Sequence, residues 1–171
     1  MKTIYLDLDG VVADFDRYVI KRLGHSIDFY QHSAEGWEAI ADFRDDMFLN
    51  LDPMPDAELL VTNVINIAKS AGFNYGVLTA IPRYGHIPLA EQHKREWLKK
   101  HFPELLTNFN IGPYAIDKQN HCKIGDVLID DSELNIPQWI SRGGFGILHT
   151  NAVDSLKKLT THVLSLLKEP T

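Results

Sequence analysis

The sequence predicts an α/β fold in which a parallel sheet is covered by helices on both faces. Short runs rich in β-branched and aromatic residues alternate with longer runs of helical periodicity, and parallel neighbours need such crossover connections. A third observation concerns function. Four of the strand-like runs end in polar residues: Asp7 with Asp9, Thr79, Lys118, and Asp130 with Asp131. In open α/β sheets ligands bind beyond the carboxyl ends of the strands, where strand order reverses.

The elements follow in chain order. Residues 2–8 (KTIYLDL) read as a buried strand that Asp9-Gly10 ends with turn chemistry. Over 13–23, Phe15, Tyr18, Val19 and Leu23 recur at helical spacing, and Gly24 is placed to close that helix. Trp37, Ile40, Ala41, Phe43, Met47 and Phe48 suggest one or two short helices before the Asp52-Pro53-Met54-Pro55 turn, so this stretch reads as a small helical cap. Asp56 is placed to cap a helix bearing Leu60, Val64, Ile67, Ala68 and Ala71, with Gly72 at its end. Strands are expected at 73–79, 108–116, 127–129 and 145–149. Ala90, Trp97, Leu98 and Phe102 mark a helix after the second strand, and Leu156, Leu159, Val163 and Leu167 a final amphipathic one. The expected division is a core of 1–14 and 56–171 with a cap of 15–55.

Composition narrows the function. The chain has 171 residues, 44% hydrophobic and 23% charged, which suits a soluble globular protein and excludes disorder or collagen-like repeats. The net charge of −6 repels nucleic-acid backbones and anionic membranes, so neither is an expected partner. The single cysteine, Cys122, excludes an internal disulfide or a multi-cysteine zinc site. Asp7 and Asp9 interrupt the apolar start, and no later window could span a bilayer, so a cytoplasmic location is expected, as a monomer or homodimer.

Asp7 and Asp9, two residues apart at the end of an apolar strand, repel one another unless a cation neutralises them or one holds a proton. With Asp130 and Asp131 they form a hard oxygen cage suited to Mg²⁺, with Asp130 expected to ligate directly and Asp131 through water. Asp7 could attack phosphorus in line to give an aspartyl-phosphate. Asp9, kept protonated by its neighbours, could then donate to the leaving oxygen and later activate water. Lys118 and the Thr79 hydroxyl would stabilise charge on the phosphoryl oxygens. Each feature alone could be a solvated turn; their joint order, each after its own strand, is what favours catalysis. An EF-hand fails because Val11 and Tyr18 stand where oxygen ligands are required, and His121 beside Cys122 lacks a second pair for zinc.

The order Asp7-Leu8-Asp9-Gly10-Val11, Thr79, Lys118 and Asp130-Asp131 resembles the four motifs of the haloacid dehalogenase superfamily of phosphohydrolases. More narrowly, DLDGVVADF at 7–15, LDPMP at 51–55, KREWLKKHF at 94–102, the Asp117-Lys118 pair and DVLIDDS at 126–132 resemble the 5′(3′)-deoxyribonucleotidase family. The resemblance implies a Rossmann-like three-layer sandwich with a small helical cap inserted after the first strand. It also implies a Mg²⁺-dependent phosphatase acting on deoxyribonucleoside monophosphates. Asp7 would be the nucleophile, Asp9 the acid/base, and Thr79 and Lys118 the phosphate binders. Asp7, the Asp9 carbonyl, Asp130 and Asp131 would hold the metal. Phe15, Trp37 and Phe48 resemble aromatic positions of the nucleoside pocket, with packing in the cap as their alternative. Where the family has Thr-Ser-Pro and then a lysine, this chain reads Thr79-Ala80-Ile81-Pro82-Arg83. A hydroxyl is therefore missing at Ala80, and Arg83 stands near the place of the lysine. Lys94 also matches a family position, with a structural role as its alternative.

Three other readings are weaker. A response-regulator receiver would place its acidic pair first, and a glycosyltransferase using Asp-x-Asp would need a larger acceptor-binding portion. A catalytically silent phosphate- or nucleotide-binding module would be suggested by loss of Asp9 or Lys118, and both are present. A phosphatase for another small phosphate ester stays open.

Overall fold

The computed structural model describes residues 1–30, 34–41, 46–82 and 87–168. Its centre is an all-parallel five-stranded sheet of β1 (Thr3–Leu6), β2 (Asn74–Thr79), β3 (Phe109–Ile111), β4 (Val127–Asp130) and β5 (Phe145–Leu148), in the order β3-β2-β1-β4-β5. All five expected strands are present. β3 is shorter than the expected 108–116, because Gly112-Pro113 follows its third residue and proline has no amide to donate to a ladder. Strand order reverses at β1, which pairs β2 on one side and β4 on the other. The carboxyl ends of β1 and β4 therefore flank the topological switch point.

Alternate residues of the strands face two unequal cores. Ile4, Leu6, Val77, Val127 and Ile129 join the larger one with Leu60 and Val64 of α4 (Ala57–Ala71) and Leu159 and Val163 of α7 (Ala152–Lys168). Each such fully buried aliphatic side chain stabilises the fold by about 1.5–3 kcal/mol. On the opposite face Tyr5, Leu78 and Leu128 pack under Trp139 of α6 (Asn135–Ser141), a helix that the periodicity did not predict. The three-layer α/β architecture thus agrees with expectation, with a thinner second layer.

The two ends of the stretch expected to form the cap meet at one place. Ala13 and Pro53 form an antiparallel bridge, the Asp14 amide donates to the Asp52 carbonyl, and the Met54 amide donates to the Val12 carbonyl. Within that stretch lie α1 (Phe15–Leu23), α2 (Ile27–Tyr30), α3 (Ala34–Ala41) and a 3₁₀ turn at Met47–Leu49. Asp14 caps α1 by accepting from the Arg17 amide, and Gly24 ends it at a φ of 82°. After β2, α5 (Ala90–His101) crosses back to the sheet. Asp56 departs from its expected role: its side chain makes no cap bond to α4 and instead accepts from the Ala152 amide at 2.6 Å. It ties the start of α7 to the start of α4.

Candidate active site

Asp7 follows β1 directly, and its backbone amide donates to the Ile129 carbonyl of β4. Its side chain is buried at 6% exposure, with Oδ1 accepting from the Leu8 amide at 2.7 Å and Oδ2 lying 2.7 Å from Lys118 Nζ. The same ammonium is 2.7 Å from Oδ2 of Asp130, the fully buried last residue of β4. Carboxylate oxygens of Asp7, Asp130 and Asp131 all lie within 4.8 Å of one another. One buried lysine therefore pairs with two of three converging carboxylates.

Lys118 reaches this position from a 3₁₀ segment, Ala115–His121, in which it is buried at 2% exposure. Gly112 makes room for it. A Cβ on Gly112 would stand 3.0 Å from the Lys118 backbone nitrogen and 3.1 Å from its Cγ, while the Gly112 amide donates to the Thr79 carbonyl.

The electrostatics follow from burial and crowding. Desolvation pushes the Asp7 carboxyl up to about 6; Lys118 opposes the rise, while Asp130 and Asp9 add to it. Asp131 is exposed on its outer side, but its carboxyl turns onto the loop at Gly10. Desolvation there, followed by the charges of Asp7 and Asp130, pushes it up to about 8. Burial disfavours the charge on Lys118, yet Asp130 and Asp7 outweigh it and hold the lysine above its ordinary range.

A second cation completes the arrangement. Lys94 of α5, 1% exposed, ion-pairs with Asp9 Oδ2 and donates to Thr79 Oγ1 at 2.9 Å. Its Nζ also stands 4.5 Å from the centre of the Phe48 ring. Asp9 Oδ1 is buried with no hydrogen-bond partner among the described residues. The group touching the Asp9 carboxylate is thus the Lys94 ammonium, a partner the sequence reading did not assign to it. Thr79, fully buried at the end of β2, has its hydroxyl turned to Lys94, and Ala80 follows it half-buried.

The expected residues Asp7, Asp9, Thr79, Lys118, Asp130 and Asp131 thus meet at one end of the sheet. Phe15 and Phe48 stack on each other with centroids 5.7 Å apart and planes 14° apart, and Phe48 connects to the cluster through Lys94. Both rings are nearly buried, at 6% and 2% exposure. Trp37 lies in α3, but its side chain is outside the described residues, as is Arg83. Sequence reasoning gave Lys94 no firm role and missed Asn135, whose Nδ2 donates to both oxygens of Asp130 at 3.1 Å. The family match at Lys94 was the signal for the first. No sequence pattern pointed to the second.

A parallel sheet whose switch point gathers an Asp-x-Asp, a threonine, a lysine and an Asp-Asp pair is the arrangement expected of a phosphohydrolase on a haloacid-dehalogenase-like core. A family model described as "5′ nucleotidase, deoxy (Pyrimidine), cytosolic type C protein" matches residues 1–161, and the chain belongs to that family. It is accordingly a nucleotidase, a phosphoric monoester hydrolase. No curated protein matches it. Among solved structures, it is similar to the HAD domain of the effector protein Lem4 from Legionella pneumophila, an inactive mutant, at 11% identity. That match covers 96% of this chain and 93% of the other, with a TM-score of 0.44.

Proposed function

We propose that the protein is a Mg²⁺-dependent phosphatase that hydrolyses deoxyribonucleoside monophosphates to deoxynucleoside and phosphate through an aspartyl-phosphate on Asp7. The observation that carries this reading is the shared position of Lys118 Nζ, 2.7 Å from both Asp7 Oδ2 and Asp130 Oδ2, with Asp131 in the same cluster. A buried carboxylate held by an ammonium at a strand end is oriented as a nucleophile and partly relieved of its charge.

The donor set fits a hard divalent cation. Asp7, Asp130 and Asp131 bring three carboxylates to one point against a single lysine, and Asp7 and Asp131 are raised first by desolvation and then by the charges of their neighbouring carboxylates. Oxygen-only donors at this density suit Mg²⁺. Hydrogen-bond accounting favours Asp131 over Asp130 as the direct ligand, reversing the division expected from sequence. Asp130 Oδ1 already accepts from the Ser132 amide and Asn135, and its Oδ2 from Lys118 and Asn135. When bound, the ion supplies positive charge that lets an anionic phosphate approach anionic Asp7.

The chain's own residues account for the remaining steps. Asp7 attacks phosphorus, forming the acyl-phosphate bond as the bond to the leaving oxygen breaks. Asp9, entering protonated, delivers its proton to that oxygen; it then takes a proton from the water whose oxygen bonds to phosphorus as the bond to Asp7 breaks, which releases phosphate and restores both carboxyl groups. Lys94 holds Asp9 and Thr79 together and, with Lys118, offers positive charge to the phosphoryl oxygens. Segment 15–55 acts as the cap that excludes water, with Phe15 as the wall beside the deoxyribose and Phe48 and Trp37 as flat faces near the base. Ala80 supplies no hydroxyl to the phosphate, and Arg83 is the sequence's candidate for the charge of the family's lysine. We place the protein in the cytoplasm, in keeping with the family's description. Among the described residues no helix is long and apolar enough to cross a membrane.

The direct test is a panel of ribo- and deoxyribonucleoside monophosphates and small sugar phosphates, assayed for released phosphate with Mg²⁺ and then with excess EDTA. Metal-dependent release, fastest from the deoxynucleotides, is expected. Faster hydrolysis of sugar phosphates would keep the phosphatase and discard this substrate, and full activity in EDTA would discard the mechanism.

A further inference from the structure

Asp130 is the one acid of the cluster that has no exposed surface, and four donor contacts converge on it. One contact comes from the Ser132 amide and one from Lys118. The other two come from a single side-chain amide, Asn135 Nδ2, 3.1 Å from each carboxylate oxygen. Asn135 is itself buried at 5% exposure, at the first position of α6. Its backbone is fixed in turn, because Ser132 Oγ accepts from the Leu134 and Asn135 amides at 3.3 Å each. On the other side of α6, Trp139 is fully buried and donates from its indole to the Asp126 carbonyl at 3.2 Å. The helix is thus pinned to the sheet at both ends, and Asn135 has little freedom to move away.

We propose that Asn135 is a positioning residue of the hydrolase reaction: its side-chain amide, 3.1 Å from both oxygens of Asp130, anchors that carboxylate so that Oδ2 holds Lys118 against Asp7. The inference rests on the phosphohydrolase reading of this site. A single nitrogen equidistant from both oxygens fixes where the carboxylate sits, while the Ser132 amide on Oδ1 and Lys118 on Oδ2 set its twist; without Asn135 the group loses the donor shared by its two buried oxygens and is free to shift. Lys118 depends on that orientation, since its ammonium divides equally between Asp130 and Asp7 at 2.7 Å each. The Lys118 stem is also confined, by the close approach of Gly112. Asn135 touches neither the nucleophile nor the place of the phosphate, so its effect passes through Asp130 and Lys118.

The test compares Asn135→Leu, which keeps the volume and removes the donors, with Asn135→Ser, which keeps one shorter donor. Four readouts are taken: kcat/KM on dUMP with Mg²⁺, inhibition by orthovanadate, inhibition by deoxyuridine, and ¹⁵N spectra of the lysine ammonium groups in EDTA-treated protein. Asn135→Leu is expected to lose about 10- to 100-fold in kcat/KM, the usual cost of removing a partner that orients a site carboxylate. Orthovanadate, which engages Asp7 and Lys118, should weaken in parallel, deoxyuridine should not, and the slowly exchanging Lys118 ammonium signal should be lost without any metal present. Asn135→Ser should fall between, and it decides the matter alone if the leucine variant does not fold. A folded variant that merely melts earlier while matching the wild type in kcat/KM, orthovanadate inhibition and the Lys118 signal overturns the proposal. Equal weakening of orthovanadate and deoxyuridine overturns it too, because the whole site would then have collapsed. Wild-type protein that releases no phosphate from any monoester overturns the hydrolase reading itself, which the Lys118 signal in metal-free protein does not depend on.

Discussion

A Cβ placed on Gly10 would stand 2.0 Å from Oδ2 of Asp131. The loop after β1 and the acidic pair after β4 therefore approach each other to a distance that only glycine allows. Gly10 also has a φ of 76°, in the left-handed region. Gly10→Ala should destabilise the fold by about 1–2 kcal/mol from the backbone alone. It should also displace the Asp131 carboxylate, and misplacement of about 1 Å in a catalytic constellation can cost roughly 10²-fold in rate. Thermal melting and kcat, measured on the same preparation, separate the two effects.

Asp7→Asn keeps the size of the side chain and removes its nucleophilic oxygen. Turnover of any phosphate monoester should drop by at least about 10³-fold, as expected when an attacking group is deleted. Circular dichroism and melting should still report a folded protein, because Asn relieves repulsion with Asp130 while losing the contact to Lys118. Near wild-type hydrolysis by the variant would exclude Asp7 as the nucleophile.

Proton linkage gives a prediction with a definite sign. Without metal, Asp7 titrates near 6 and Asp131 near 8, both above the ordinary carboxylate value of 3.8. The folded, metal-free protein thus holds protons that the unfolded chain has released, and it loses stability as pH rises through these values. A metal ion binds only the ionised carboxylates, so it must expel those protons. Mg²⁺ affinity should rise between pH of about 6 and about 8, with net proton release near neutrality. The gap in Tm between Mg²⁺-loaded and EDTA-treated protein should widen over the same range. Calorimetric titration in two buffers of different ionisation enthalpy measures the protons directly.

Phe15 begins α1 immediately after the loop that carries Asp9, and its ring stacks on Phe48. If Phe15 is the wall beside the sugar, as proposed, a 2′-hydroxyl would find neither room nor partner there. Phe15→Ala should lower the preference for dUMP over UMP more than it lowers hydrolysis of p-nitrophenyl phosphate. The ratio of kcat/KM values is the measurement. Equal loss on all three substrates would make Phe15 a packing residue of the cap.

How far the sequence revealed the molecule differs from element to element, for physical reasons. The strands were legible because each of β1, β2 and β4 holds a short apolar run, Ile4-Tyr5-Leu6, Val77-Leu78 and Val127-Leu128-Ile129, directly followed by a polar residue. Gly24 and Gly72 marked helix ends because both adopt positive φ there. α6 was not legible: it has seven residues and an internal Pro137, too short for a helical period to show, and it is held by Trp139, whose indole reaches the Asp126 carbonyl, and by the Asn135 side chain on Asp130, polar contacts that hydrophobic periodicity does not encode. The Asp56 side chain looked like a local cap, but its acceptor oxygen serves an amide 96 residues away. Lys94 shows the same limit at the site. A lysine in a charge-rich helix reads as solvent-facing, and only the folded chain brings it to Asp9, 85 residues earlier. Motifs located the acids and Lys118, whereas the partners that orient them depend on tertiary contact.

The claim on which the rest depends is covalent attack by Asp7, and trapping the intermediate tests it most directly. Protein turning over dUMP with Mg²⁺ is quenched with borohydride, which reduces an acyl phosphate to the alcohol, and the peptide spanning residues 1–17 is sequenced by mass spectrometry. Homoserine at position 7, present only when both dUMP and Mg²⁺ were supplied and absent from Asp7→Asn, is the predicted result. An actively hydrolysing protein in which Asp7 is recovered unmodified, or in which the reduced residue lies elsewhere, would contradict it.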